Sequence, residues 1–313
     1  MVKANSSVDE KIETLVQLRC LEGWTNGIHG ELTSISALNI FLAVTAFLGN
    51  NLILVSLRKE SSLRPPSKLL LRCLAATDLC VGVIAQPFQV VYWLSLVYKD
   101  WNLCPYALNT TFITGYTLTS VSMLTLTAIS VDRLLALILG LRYKQVVTLT
   151  RTYAVVITFW FISTLAGTLY LKDYRITLWY GYVTLPSCLV ITTFSYAKIV
   201  RSLFHNQNQI HIIPRQQQQL NQSAPLNLCR YRKAVYGTLW LQLALVICYL
   251  PYSVMGVWMN GKVSPANFVI LVSSVTCVYL NSAINPFLYC WKISSVRQAV
   301  KETIKQFLCC LST

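Results

Sequence analysis

"NSAINPFLY", residues 281–289, stands in the middle of a stretch, Val263 to Trp291, that holds no Asp, Glu, Lys or Arg. A run of that length without charge is a candidate membrane-crossing helix, since about 20 residues at 1.5 Å each span a hydrocarbon core of about 30 Å. Polar groups inside such a helix are costly, so two asparagines, a serine and a proline at its centre point to function. Asn281, Asn285 and Tyr289 recur at i, i+4 and i+8, which puts them on one helix face looking into a common interior. Pro286 frees a backbone carbonyl among them.

Working outward, six more long apolar runs appear: Leu32 to Leu57, Cys73 to Tyr98, Trp101 to Val131, Thr152 to Leu171, Ile176 to Ala197 and Ala234 to Gly261. Their one charge is Asp78. The 313-residue chain is 55% hydrophobic and only 12% charged, so its length does not count domains; it fits an all-α seven-helix membrane bundle. Seven crossings put the termini on opposite sides. Residues 1–31 read as a polar extracellular tail, 32–291 as the bundle, and 292–313 as an amphipathic membrane-surface helix with a cytoplasmic tail. The tail lacks the pattern of a signal peptide, so the first helix is expected to insert as its own anchor.

The net charge of +15 follows the membrane. With the amino terminus outside, the inner loops and tail hold 19 of the 26 Lys and Arg against three acids, whereas the outer segments hold seven of each sign. This is the positive-inside pattern, with cations facing anionic lipid headgroups, and it leaves little support for a nucleic-acid partner. His29, His205 and His211 lie outside the runs with no nucleophile or metal spacing beside them, so an enzyme is not expected.

Between the runs, Asn5-Ser6-Ser7 is a glycosylation acceptor pattern in the outer tail. Arg64-Pro65-Pro66 ends the first inner loop, because proline cannot continue a helix. Residues 205–227, "HNQNQIHIIPRQQQQLNQSAPLN", have the Gln- and Asn-rich composition of a disordered loop. The outer connection at Lys172 to Arg175 is very short and leaves little room for a lid over a pocket.

Asp78 facing lipid would cost roughly 2.5 kcal/mol or more, so it is expected to face the interior shared with Asn281 and Asn285. Those groups can complement a carboxylate or, with it, coordinate a small cation through oxygen. They can equally be polar glue between helices. An ion-coupled transporter or channel relaying charge through Asp78 is the alternative reading from another functional class.

The chain resembles the rhodopsin-like (class A) G-protein-coupled receptors over nearly all of residues 33–300. The resemblance rests on "LGNNLIL" with Asn50, "LAATDL" with Asp78, "SVDRLLAL", Trp160, Pro186, "CYLPY" and "NPFLY", one motif per helix and in order. It implies a receptor for an extracellular ligand in the plasma membrane, coupled to heterotrimeric G protein, with arrestin a further partner. No cofactor is implied beyond a sodium ion, an allosteric ligand on Asp78, Ser122, Asn281 and Asn285. Asp132 and Arg133, with Tyr196 and Tyr289, would form the G-protein switch. Tyr249 would be the toggle in place of the family's tryptophan, with kinks at Pro251 and Pro286. The pocket positions carried over are Phe88, Gln89, Tyr92, Tyr116, Thr119, Tyr252 and Tyr279, beside Tyr249.

Departures from the family pattern carry their own expectations. Tyr231 stands where an acid often locks the arginine, so elevated basal activity is expected. Tyr196 lies two residues further from Pro186 than the pattern has it, so one of the two is not the family equivalent. The family ties helix three to the second outer loop, which here has no cysteine. Cys20 and Cys104 are the outer-compartment cysteines, leaving either a bridge that pins the tail over the pocket mouth or two free thiols. Cys309 and Cys310 after the amphipathic segment resemble palmitoylation sites. Gly115 occupies the position where amine receptors carry aspartate, and no helix bears a charge in its outer half. A neutral or amphipathic small molecule, or part of a peptide, is therefore expected rather than a biogenic amine.

Overall fold

A computed structural model describes residues 19–20, 25, 27–59, 61, 63–212, 243–255, 264–292 and 294–311. The helices are α1 (His29–Lys59), α2 (Pro65–Val97), α3 (Leu103–Leu139), α4 (Leu149–Thr168), α5 (Tyr174–Ile212), α6 (described over Leu243–Met255), α7 (Pro265–Lys292) and α8 (Ser294–Leu311). Among the described residues, α1 to α5 and α7 are long and apolar enough to cross a membrane, and α6 contributes a shorter apolar segment. The protein is a seven-helix transmembrane bundle followed by one further helix.

Its outside is apolar where a soluble protein's is polar, and polar side chains share the interior with an apolar core. Asn39, Asn50, Thr77, Asp78, Ser122 and Asn281 are buried, while Phe41, Phe161, Val190 and Phe287 each leave more than half of their surface on the outside. That order suits a hydrocarbon surround, in which apolar side chains need no cover and polar ones must find partners within the bundle.

Local chemistry sets the helix ends. Pro65 and Pro66 sit in the first turn of α2, where a missing N–H costs nothing. Thr148 caps α4, its hydroxyl accepting from Arg151 N–H at 3.4 Å. Gly140, at φ +50°, ends α3 in a conformation that side chains resist. A short turn, Leu169–Leu171, leads almost directly from α4 into α5. At the junction Thr177 Oγ1 donates to Ala166 O at 2.7 Å.

One reading from sequence needs correction. Helix α5 has 39 residues, about 58 Å, and continues through Ile212, so the expected loop begins later than His205. Nothing in residues 205–212 breaks a helix; the first breaker is Pro214, which disfavours helical angles at the residue before it. Residues 213–227 lie outside the described residues. Helix α2 starts at Pro65, where Arg64-Pro65-Pro66 was expected to end the inner loop, and it contains a π-helical turn at Val81–Ala85. Pro87, just beyond, has no N–H, and its ring crowds the carbonyl four residues back; the widened turn accommodates both.

Close packing of α1 on α7 fixes the motif helix. A Cβ on Gly49 would lie 2.8 Å from Pro286 Cγ. One residue on, Asn50 Nδ2 donates to Ser282 O at 3.0 Å and to Ala46 O at 2.9 Å. Helix α8 lies against α1: Ser56 Oγ and Thr303 Oγ1 are 3.3 Å apart, Lys59 bonds Gln306, and Val296 and Val300 join the core around Ile53, Leu57 and Tyr289.

Candidate functional site: a pocket above a polar core

A cavity of about 370 Å³ opens between α2, α3, α5, α6 and α7 toward the end of the bundle that carries Cys104. Tyrosines dominate its walls. Tyr116 and Tyr252 hydroxyls meet at 2.6 Å, joining α3 to α6 across the cavity. Below them, Tyr249 OH reaches Thr119 O at 3.5 Å, the outer limit of a hydrogen bond. Ser120 Oγ lies 2.6 Å from Tyr180 OH and takes Ser163 Oγ–H at 3.0 Å, so α3, α4 and α5 are also tied. Gly115 is where the backbone comes close: a Cβ there would meet Tyr279 OH at 3.1 Å.

Of the residues carried over to this pocket, Gln89, Tyr92, Tyr116, Thr119, Tyr249, Tyr252 and Tyr279 line it. Phe88 does not. It stands 40% exposed on the outside, whereas Gln89 and Tyr92 are buried. The π turn just before it adds a residue to the helical repeat and rotates the rest of α2, which moves Phe88 off the inward face. Pro251, expected as a kink and not as a pocket residue, is exposed on α6.

Cys20 and Cys104 are joined by a disulfide, Cα to Cα 5.9 Å, which holds the tail against α3. This places Arg19 on the cavity wall, its guanidinium 5.5 Å from the Phe112 ring centroid. Arg19 is not legible in the sequence as a pocket residue, since it belongs to no apolar run; the cysteine beside it is the available signal.

Beneath the cavity lies Asp78. Its Oδ1 accepts from Ser122 Oγ at 2.9 Å and Ser282 Oγ at 2.8 Å, and its Oδ2 accepts from Asn285 Nδ2 at 2.7 Å. Ser282 belongs to this site although the motif spacing points to its neighbour Asn281. Asn281 is buried with Nδ2 unpartnered, and Asn50 Oδ1, Asn285 Oδ1 and Tyr289 OH also have no hydrogen-bond partner among the described residues. A buried carboxylate held by three neutral donors, with spare amide oxygens in the same helices, has the donor set a small hard cation takes.

At the far end Asp132 is buried. Its Oδ2 accepts from Ser67 Oγ at 2.8 Å and its Oδ1 accepts from Tyr143 OH, whose ring carries the Arg64 guanidinium 4.8 Å above it. Neutral hydroxyls, rather than Arg133, therefore take both carboxylate oxygens. Tyr196 OH lies 2.9 Å from Ser130 Oγ, one helical turn from Arg133, while Pro186 is exposed; α5 presents Tyr196 to α3. Cys309 and Cys310 fall in the last turns of α8. Asn5 and Tyr231 lie outside the described residues.

A family model described as "7 transmembrane receptor (rhodopsin family)" matches residues 49–175, the span that carries Asp78, Ser122, Asp132 and Arg133. Over that span the chain is similar to that family. The receptor is 26% identical over 292 residues to human trace amine-associated receptor 9, covering 83% of this chain and 81% of that one. It is 24% identical over 296 residues to the human adenosine receptor A2a, covering 84% and 70%. Against the dog adenosine receptor A2b it is 33% identical over 127 residues, which is 41% of this chain and 37% of that receptor's length. These relatives are receptors and not enzymes, and with the apolar helices they make this a multi-pass plasma-membrane receptor.

Proposed function

We propose that the receptor takes an extracellular ligand in the tyrosine-lined cavity and transmits its binding to a cytoplasmic heterotrimeric G protein, with arrestin as a further partner. The amino terminus is then outside and the carboxyl terminus inside, a reading the distribution of Lys and Arg supports. One observation carries this reading: α3 and α7 both line the cavity and both bond Asp78 directly below it, and α3 continues to Asp132 and Arg133. A ligand that separates Tyr116 from Tyr252 would bias the position of α6 relative to α3, which is the kind of differential contact a two-state switch needs.

A sodium ion would be held by Asp78 and Ser122 with amide oxygen from Asn285, and Asn281 would contribute from the next turn. Bound there it would neutralise the buried carboxylate and favour the resting arrangement. Arg133 is free to engage the G protein because Ser67 and Tyr143 hold Asp132. Tyr289 and Tyr196 would close over it on activation. The switch residues and the Tyr231 position, which has no acid to restrain Arg133, together support measurable basal activity.

The relative named for trace amines does not pass that ligand class to this chain. Gly115 stands where amine receptors carry aspartate, Tyr279 occupies the space beside it, and the described lining holds no Asp or Glu. An ammonium group would be buried without a counter-ion. The aromatic and hydroxyl lining suits an amphipathic small molecule or part of a peptide.

The test is nucleotide exchange on added G proteins, measured in membranes without agonist, set against ion flux in reconstituted vesicles. Exchange above that of mock membranes supports the receptor reading. Flux without exchange would return Asp78 to the transporter alternative, which none of the relatives found supports.

A further inference from the structure

The cavity has a feature that the helices alone do not supply: a cation brought in from outside the bundle. Arg19 is adjacent in sequence to Cys20, and the Cys20–Cys104 disulfide fixes that point of the tail to α3. The guanidinium sits over Phe112, whose ring stacks on Tyr170 at 4.7 Å and on Tyr116 at 5.8 Å. A stacked guanidinium keeps its N–H donors pointing out from the ring edge, where they remain available to a second partner.

The same cavity holds two hydroxyl donors with nothing to donate to. Tyr92, whose hydroxyl neighbours the guanidinium, and Thr111 line the same cavity and are almost completely buried. Neither O–H finds an acceptor among the described residues. No Asp or Glu is among the described lining residues to neutralise Arg19. Beside the tyrosines, much of the remaining wall is apolar, formed by side chains such as Met123, Leu178, Leu185, Val272 and Val275. One fixed cation, two idle hydroxyl donors and an apolar chamber are complementary to an organic anion with a hydrophobic body.

We propose that the receptor's ligand is a small organic acid, its carboxylate gripped by Arg19 with Tyr92 and Thr111, and its apolar or aromatic body filling the chamber toward α5 and α7. This rests on the reading of the cavity as the ligand pocket. The tail is thereby part of the binding site, and the disulfide positions the anion-binding group. A carboxylate matches the planar fork of guanidinium with two parallel hydrogen bonds, which lysine cannot reproduce.

The experiment uses the purified full chain in detergent and a matched set of phenylalkyl and naphthylalkyl probes, each skeleton made as carboxylate, primary amide and primary amine. Binding is read from the shift in melting temperature and from titration, for the wild type and for Arg19→Gln, Arg19→Lys and Arg19→Glu. The carboxylate arm is expected to bind the wild type, to lose about tenfold or more in affinity with Arg19→Gln, and to be partly kept by Arg19→Lys. Arg19→Glu is expected to shift the preference to the amines. The ligand-free melting temperature of each variant, expected to match the wild type, separates lost contact from lost fold. Amides or amines binding the wild type as well as carboxylates do would overturn the proposal, as would carboxylate affinity indifferent to Arg19→Gln. If no skeleton binds in any arm, the reading of the cavity as a ligand pocket fails as well.

Discussion

Ser282 Oγ donates to Asp78 Oδ1 at 2.8 Å, sharing that oxygen with Ser122 Oγ at 2.9 Å, so α2, α3 and α7 meet on one carboxylate. Removing one donor leaves the buried anion less compensated, at a cost of roughly 1–3 kcal/mol. Ser282→Ala is therefore expected to lower the melting temperature in sodium-free buffer by a few degrees. Added sodium should recover part of that loss, since a cation replaces the missing donor. Asp78→Asn should remove the sodium effect altogether. Melting curves in sodium chloride against choline chloride check both, and a sodium-dependent shift that survives Asp78→Asn rules out the assigned ion site.

Tyr116 and Tyr252 form the one short side-chain hydrogen bond between α3 and α6 that lines the cavity among the described residues. If this bond favours the resting arrangement, its loss shifts the population by about fivefold for about 1 kcal/mol. Tyr116→Phe and Tyr252→Phe should each raise agonist-free nucleotide exchange to a similar degree. The double variant should add little to either, because one broken bond cannot be broken twice. Additive increases would mean that the two hydroxyls act separately.

How much of this can be read from the chain depends on where the information is local. Seven uncharged runs and Asp78 among them are visible residue by residue, because the bilayer imposes a single length and a single penalty on charge. The meeting of Asp78 with Asn285 follows from helical spacing together with motif order. Ser282 does not emerge from that spacing, because a shift of one residue turns a side chain by about 100° and only the packing of α1 on α7 decides which residue faces α2. Phe88 misleads for the same reason: the π turn that rotates it depends on how Pro87 is accommodated. Arg19 stays hidden because its place is set by a covalent link between positions 84 residues apart.

Gly49 packs its bare Cα against Pro286, and an added Cβ would lie 2.8 Å from the proline ring, which cannot swing away as a flexible side chain can. Gly49→Ala gains about 1 kcal/mol of helix propensity but incurs an overpacking cost of about 1–3 kcal/mol. A net loss is expected, seen as a lower melting temperature and reduced surface expression. Gly49→Ala combined with Pro286→Ala should recover part of it. A neutral or stabilising Gly49→Ala would mean that α1 and α7 can move apart at this contact without cost.

Ser67 and Tyr143 hold Asp132, and Arg133 beside it is the cationic group of the proposed switch. Arg133→Ala is expected to abolish G-protein activation with surface expression near normal, because Arg133 is only half-buried. Tyr143→Phe, in contrast, should leave Arg133 intact while removing one donor from Asp132. Its expected result is altered basal exchange without loss of coupling. Exchange assays normalised to surface receptor separate the two, and full activity in Arg133→Ala would withdraw its assignment.

The Cys20–Cys104 disulfide closes a loop of 84 residues that contains α1 and α2. Cross-links over loops of this length typically contribute about 2–4 kcal/mol, and α1 and α2 are already fixed by packing, so the lower part of that range is expected. Cys20→Ser and Cys104→Ser should therefore reduce the melting temperature equally, and reductant should bring the wild type to the same value. Because the bridge also positions Arg19, both variants should weaken carboxylate probes to the extent that Arg19→Gln does, whereas Arg19→Gln should leave the ligand-free melting temperature unchanged. Unequal effects of the two cysteine substitutions would show that one thiol acts outside the bridge. Equal thermal losses with undiminished carboxylate binding would show that the tail finds its place without the covalent tie.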